Sequence, residues 1–116
     1  MNTGRPLNEV KADLFKGLAH PLRIRVLELL AERELTVAEL IDATGLEPSH
    51  LSQHLRVLRG YGLVVSERNA RHVTYRLAHP SVAGLLAAAR ALLRDVLASH
   101  EELARRQGGP IPEGAL

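Results

Sequence analysis

Apolar residues fall at helical spacing from the start of the chain, with Leu7, Val10, Leu14, Phe15 and Leu18 predicting an amphipathic helix over residues 7–18. His20-Pro21 interrupts that pattern. Pro21 suits the first position of a new helix, which Leu22, Val26, Leu29 and Leu30 carry to about Ala31, with Arg23 and Arg25 off the stripe. Thr36 followed three residues later by Glu39 has the form of a capping box, in which each side chain satisfies a backbone amide at the other end. A short third helix therefore starts there, turns Val37, Leu40 and Ile41 inward, and stops at Gly45. Pro48 opens a fourth helix with Leu51, Leu55 and Leu58 on its inner face, ending at Gly60 or Gly62.

Beyond Gly62 the period changes from helical to alternating. Leu63 and Val65, then Val73, Tyr75 and Leu77, predict two strands whose inner residues these are, with Thr74 and Arg76 pointing the other way. The polar joint Arg68-Asn69-Ala70-Arg71-His72 makes the pair a hairpin with a basic tip. Pro80 restarts helix, and Val82, Leu85, Leu86, Ala89, Leu92, Leu93, Val96, Leu97 and Leu103 sustain a stripe to about residue 106, roughly 40 Å of helix. Residues 1–6 read as a flexible arm, residues 7–106 as one domain, and residues 107–116 as a disordered tail. There is no internal repeat. The expected fold is mainly α with a small β-hairpin: two short helices joined by a glycine turn and followed by a hairpin make a winged helix-turn-helix.

The chain has 116 residues, enough for one core but not for a separate catalytic lobe. Its apolar residues are nearly all Leu, Val and Ala, a composition that favours helix. The formal charge is only +2, yet between Pro48 and His79 five arginines (Arg56, Arg59, Arg68, Arg71 and Arg76) face a single acid, Glu67. Positive charge is thus concentrated on the fourth helix and the hairpin, and arginine is the cation best shaped for phosphate and guanine edges. With no cysteine there is no disulfide framework, thiolate metal site or thiol switch. The sequence shows no export signal and no apolar run long enough to span a membrane, so a cytoplasmic protein is expected.

The outward positions of the fourth helix are Ser49, His50, Ser52, Gln53 and Arg56. Hydroxyls, an imidazole and an amide near a helix N-terminus, followed by a guanidinium, can hold phosphate and read base edges. Arg59, Arg68, Arg71 and Arg76 would mainly hold the backbone of double-stranded DNA. An enzyme is the competing class, since Ser49, His50, Ser52 and His54 are close in sequence. Neighbours on one helix do not by themselves make a nucleophile, base and orienting acid, and no phosphate loop or second lobe accompanies them, so no catalytic residues are assigned. A winged helix used only for protein contact would lack the basic face, which is intact here.

Four segments carry a resemblance to a known family: residues 15–25 (FKGLAHPLRIR), 35–40 (LTVAEL), 46–58 (LEPSHLSQHLRVL) and 62–66 (GLVVS). Over about residues 8–104 the chain resembles the ArsR/SmtB family of bacterial winged-helix regulators. The resemblance implies a homodimer built from the first and last helices, a palindromic operator, and repression relieved by a signal. It also implies two kinds of metal site. Where relatives carry a Cys-x-Cys pair this chain has Thr36 and Ala38, so the thiolate site is missing. At the last-helix site the matching positions are His79, Ser81, Leu92 and Asp95, of which Leu92 cannot ligate and Ser81 ligates poorly. DNA binding is therefore expected to need no cofactor. The alternative is a sensor built from His79, Asp95, His100 and Glu101 or Glu102, which would suit nickel, cobalt or zinc, or a regulatory partner protein that supplies the signal. His20 and His54 read as a turn residue and a packed helix residue.

Burial gives the dimer separate support. The helix-turn-helix and hairpin are too small to cover the whole stripe of the last helix, so Leu85, Leu92 and Val96 are expected to pack on a symmetry mate, with Leu7, Val10 and Leu14 of the first helix alongside.

Overall fold

The computed structural model describes residues 4–107. Its elements run α1 (Leu7–Leu18), α2 (Pro21–Glu32), β1 (Leu35–Thr36), α3 (Val37–Thr44), α4 (Pro48–Gly60), β2 (Val64–Asn69), β3 (His72–Leu77) and α5 (Pro80–Gln107). The five predicted helices and the hairpin are all present, and β1 is an addition. The chain divides into two compact units, residues 1–83 and 84–116. The first contains α1 to β3 and the opening turn of α5, and the second contains the rest of that helix. No described helix is long and apolar enough to cross a membrane.

The core of the first unit is built from Val26, Leu27 and Leu30 of α2, Leu40 of α3, Leu51, Leu55 and Leu58 of α4, and Leu35, Val64 and Tyr75 of the sheet. Leu27 is wholly buried while Leu29, the residue predicted by a single stripe, is only half-buried. The reason is that α2 packs on α3, α4 and β3 together, so its buried arc is wider than a one-sided helix presents. Arg5, read from the sequence as part of a loose arm, instead pairs with Glu9 and Asp13 of α1. Residues 1–3 and 108–116, the ends of the expected arm and tail, lie outside the described residues.

Turn chemistry sets the ends of α3 and α4. Thr36 Oγ1 accepts from the Glu39 amide at 3.1 Å, and Glu39 Oε1 accepts from the Thr36 amide at 2.9 Å, completing the capping box. The Thr36 amide and the Arg33 guanidinium hold the Glu39 carboxylate below its usual range. At the far end Gly45 adopts φ +70° and its amide donates to Ile41, the left-handed step that turns the chain toward α4. A second such step at Gly62, φ +72°, closes α4: the Gly62 amide donates to Arg59 and the Leu63 amide reaches back to Leu58. This pair of bonds is a Schellman motif, and it delivers the chain into β2 with Leu63 buried.

The sheet has the order β1-β3-β2, all antiparallel, with β3 in the middle. Leu35 pairs with Tyr75, so β1 is fastened to the wing immediately before the capping box. Val64 lies opposite Leu77 and Ser66 opposite Tyr75, which makes Val64 the inward residue of β2. Val65, predicted inward, is on the other face opposite Arg76 and is half-buried, because Leu63 belongs to the α4 turn and alternation starts one residue later than expected. The polar joint is also tighter than predicted. Backbone pairing continues through Arg68↔Val73 and Asn69↔His72, leaving only Ala70 and Arg71 in the turn, with Ala70 in the left-handed region at φ +55°.

Candidate nucleic-acid interface

Helix α4 is fixed along one side and open along the other. Leu51, Leu55 and Leu58, at i, i+4 and i+7, are buried, whereas Ser49, His50, Ser52, Gln53, Arg56 and Arg59 are exposed. Ser49, Ser52, Gln53 and Arg56 follow one another at i, i+3, i+4 and i+7, which is one continuous surface stripe. The helix begins at Pro48 with no side-chain cap, so its first amides are not taken by a capping side chain. An N-terminus of this kind attracts phosphate.

Two contacts outside the leucine face hold α4 against the N-terminal half of the unit, and a third ties α2 to the end of α1 between them. The Tyr61 ring, at the end of α4, lies on the backbone of Gly17, where an added Cβ would fall 2.6 Å from Tyr61 Cδ2. Only glycine admits that approach. Arg23 of α2 closes the end of α1, its Nε donating to the Gly17 carbonyl at 2.7 Å and its Nη2 to the Lys16 carbonyl at 3.2 Å. Finally, His20 is more than the turn residue read from the sequence. It is the N-cap of α2, its Nδ1 accepts from the Leu22 amide at 3.1 Å, and its ring lies 4.4 Å, centroid to centroid, from that of His54 on α4. Sequence reasoning missed the cap because histidine is not among the favoured capping residues, although its placement directly before Pro21 was a usable signal.

On the wing, Arg68, Arg71 and Arg76 are all exposed. They do not share a face: the register puts Arg68 with Val64 and Tyr75 on the inward side of the sheet, Arg76 on the opposite side with Val65, and Arg71 in the turn. Among the described residues none of Arg56, Arg59, Arg68, Arg71 and Arg76 has an ion-pair partner, while Arg5, Arg33, Arg105 and Arg106 are paired internally with acids. Free guanidiniums therefore cluster in sequence on the helix and hairpin that a winged fold presents to a duplex.

Thr36 Oγ1 is engaged in the capping box and Ala38 has no donor atom. His79 lies in the first unit, just before α5, and Asp95 and His100 lie in the second. The His100 Nδ1 is buried without a hydrogen-bond partner. Among the described residues no three His, Asp or Glu side chains gather as metal ligands.

Known proteins of similar sequence and fold identify the family. Residues 20–66, from the α2 cap through the start of the wing, match the model of the bacterial regulatory protein, arsR family. The chain is 51% identical over 96 residues to the uncharacterized HTH-type transcriptional regulator Rv0081 of Mycobacterium tuberculosis, an alignment covering 82% of this chain and 84% of that protein. The crystal structure of Rv0081 superposes with a TM-score of 0.77 at 50% identity, over 82% of this chain and 96% of that one. The homodimeric winged helix-turn-helix DNA-binding domain of Mb0332 from Mycobacterium bovis superposes with a TM-score of 0.71 at 32% identity, covering 77% and 82% of the two chains. The helix-turn-helix, its wing and the sequence that builds them accordingly make this chain a member of the ArsR family of winged helix-turn-helix transcriptional regulators.

Proposed function

We propose that the chain works as a homodimer that reads a palindromic duplex through α4 and grips the flanking backbone through the wing. One observation carries the reading: α4 keeps a polar stripe ending in an unpaired Arg56 open to solvent while its other side is locked into the core. Ser49, His50, Ser52, Gln53 and Arg56 contact base edges and adjacent phosphates, and Arg59, Arg68, Arg71 and Arg76 hold the backbone. Because Arg68 and Arg76 stand on opposite faces of the wing, they meet different stretches of backbone. The homodimeric state of Mb0332 supports pairing, as do the apolar residues Leu92, Leu93 and Leu103 of α5, which a single chain leaves 63%, 47% and 51% exposed.

Titration against a duplex selected by the protein from a random-sequence pool tests this reading. Arg56→Ala is expected to cost about 1–3 kcal/mol on the selected duplex and little on random DNA, as loss of a bidentate base contact does. Arg71→Ala is expected to weaken both alike and to reduce the salt slope by about one unit. Equal affinity of the wild-type protein for selected and random duplexes would remove the main support for the reading.

The signal is proposed to reach the protein without a thiolate-bound metal, since the chain has no cysteine. Affinity for the selected duplex is expected to survive a chelator and to be indifferent to arsenite and cadmium. Relief of binding by nickel, cobalt or zinc that disappears in both His79→Ala and His100→Ala would instead establish a sensor of imidazole and carboxylate. The unpartnered Nδ1 of His100 is the observation in favour of that second reading.

A further inference from the structure

We propose that the His20–His54 contact is a proton-operated latch on the recognition helix, closed when both imidazoles are neutral and released by acid, so that duplex binding is coupled to pH. The inference rests on α4 being the helix that reads DNA. The two rings come from different elements: His20 caps α2, His54 sits mid-way along α4, and their centroids are 4.4 Å apart with the planes inclined at 50°.

Each ring has a reason to be uncharged. His20 Nδ1 accepts from the Leu22 amide, which places the proton of the neutral ring on Nε2. Protonating Nδ1 would set one N–H against another and abolish the cap. His54 Nδ1 is buried and has no hydrogen-bond partner. The imidazolium carries an N–H on both nitrogens, and the one on Nδ1 would be buried with no acceptor beside a new charge. The charged and titratable groups acting on His54 are His20 at the α2 cap, Arg23 of α2 and His50 of its own helix, and among the described residues no carboxylate, from α1, β2 or elsewhere, offsets them. Burial first, and repulsion from His20, Arg23 and His50 after it, hold His54 below the ordinary histidine value of 6.5.

The direction of the effect follows from linkage. A base whose value is lowered by folding favours the folded state fully above its unfolded value, and that contribution is lost as the pH falls from about 6.5 through the folded value. In acid, therefore, α4 loses its hold on the start of α2, while the leucine face keeps it in the core. Ordinary phosphate binding has the opposite sign, because positive charge added to a DNA-facing surface strengthens its hold on the backbone.

The test compares the wild-type full chain with His54→Gln, both retaining His50, on the selected duplex between about pH 7.5 and pH 5.5, the range in which histidine titrates. Wild-type affinity is expected to fall about tenfold more than that of His54→Gln across this interval. Identical pH profiles would overturn the latch. Two measurements stand apart from DNA. Imidazole NMR of the wild-type chain should show His54 titrating below free histidine, and a value at or above it overturns the proposal. Unfolding should lose more stability in acid in the wild type than in His20→Asn, which keeps a capping side chain but removes the ring, and equal losses in the two would count against the latch. This variant also serves if His54→Gln does not fold. Failure to select any duplex at about pH 7.5 would overturn the DNA-binding reading instead, leaving the NMR and unfolding results to decide whether the contact titrates.

Discussion

Leu92→Glu combined with Val96→Glu is expected to leave the chain monomeric at micromolar concentration and to lower affinity for the selected duplex by about 100- to 10,000-fold. That range is what two linked half-sites gain over one. The two positions are one turn apart on α5 and share a side of the helix. Val82 is the only buried residue of α5, in the helix's first turn, and Leu92 is 63% exposed in the single chain. Covering a leucine at an interface contributes about 1.5–3 kcal/mol, and replacing it with a carboxylate reverses the sign, because an unpaired charge must then be desolvated. Two-fold symmetry doubles each change. Sedimentation and duplex titration read the two effects separately. A double variant that remains dimeric and binds normally would show that the pairing surface lies elsewhere, and Leu7, Val10 and Leu14 of α1 would be next to test.

Leu58→Ala is expected to destabilise the first unit by about 2–5 kcal/mol, the usual cost of truncating a fully buried leucine. Leu58 is 0% exposed, and its carbonyl receives the Leu63 amide that ends α4. The cavity would therefore open at the joint between recognition helix and wing. Against a domain stability of about 5–15 kcal/mol this is a large share, and urea unfolding measures it directly. Ser52→Ala, on the exposed side of the same helix, should stay within about 0.5 kcal/mol. Equal losses for the two variants would contradict the assignment of buried and open faces.

Much of this molecule was legible in the order of its residues, and the exceptions have physical reasons. Helix limits were readable because the punctuation is local: Pro21, Pro48 and Pro80 open helices, and the Thr36–Glu39 box and Gly45 bracket α3. The recognition stripe was readable for the same reason, since Leu51, Leu55 and Leu58 leave Ser49, Ser52, Gln53 and Arg56 only one side to occupy. What could not be read depends on residues distant in sequence. Strand β1 is two residues long and exists through Leu35↔Tyr75 and Thr36↔Thr74 pairing, too short for any alternation to announce it. The phase of β2 was misjudged at Val65 because the α4 turn consumes Leu63. The contact between His20 and His54, and the approach of Tyr61 to Gly17, join helices that no periodicity links.

The placement of β1 has a consequence for how the molecule assembles. Its partner is not the neighbouring strand in sequence but β3, so the pairing of Leu35 with Tyr75 closes a loop that contains α3, α4 and β2. The hairpin of β2 and β3 can zip from its own turn, but the third strand joins only after the ends of that long loop meet, and the entropy of closure is recovered only then. The helix-turn-helix is thereby enclosed by backbone pairing instead of hanging from one end of a sheet. Opening the β1–β3 ladder releases the start of α3, whose cap is Thr36, and leaves the central strand of the wing with β2 alone. Helix α4 and the wing are therefore expected to open together, and hydrogen exchange of their backbone amides reads this directly.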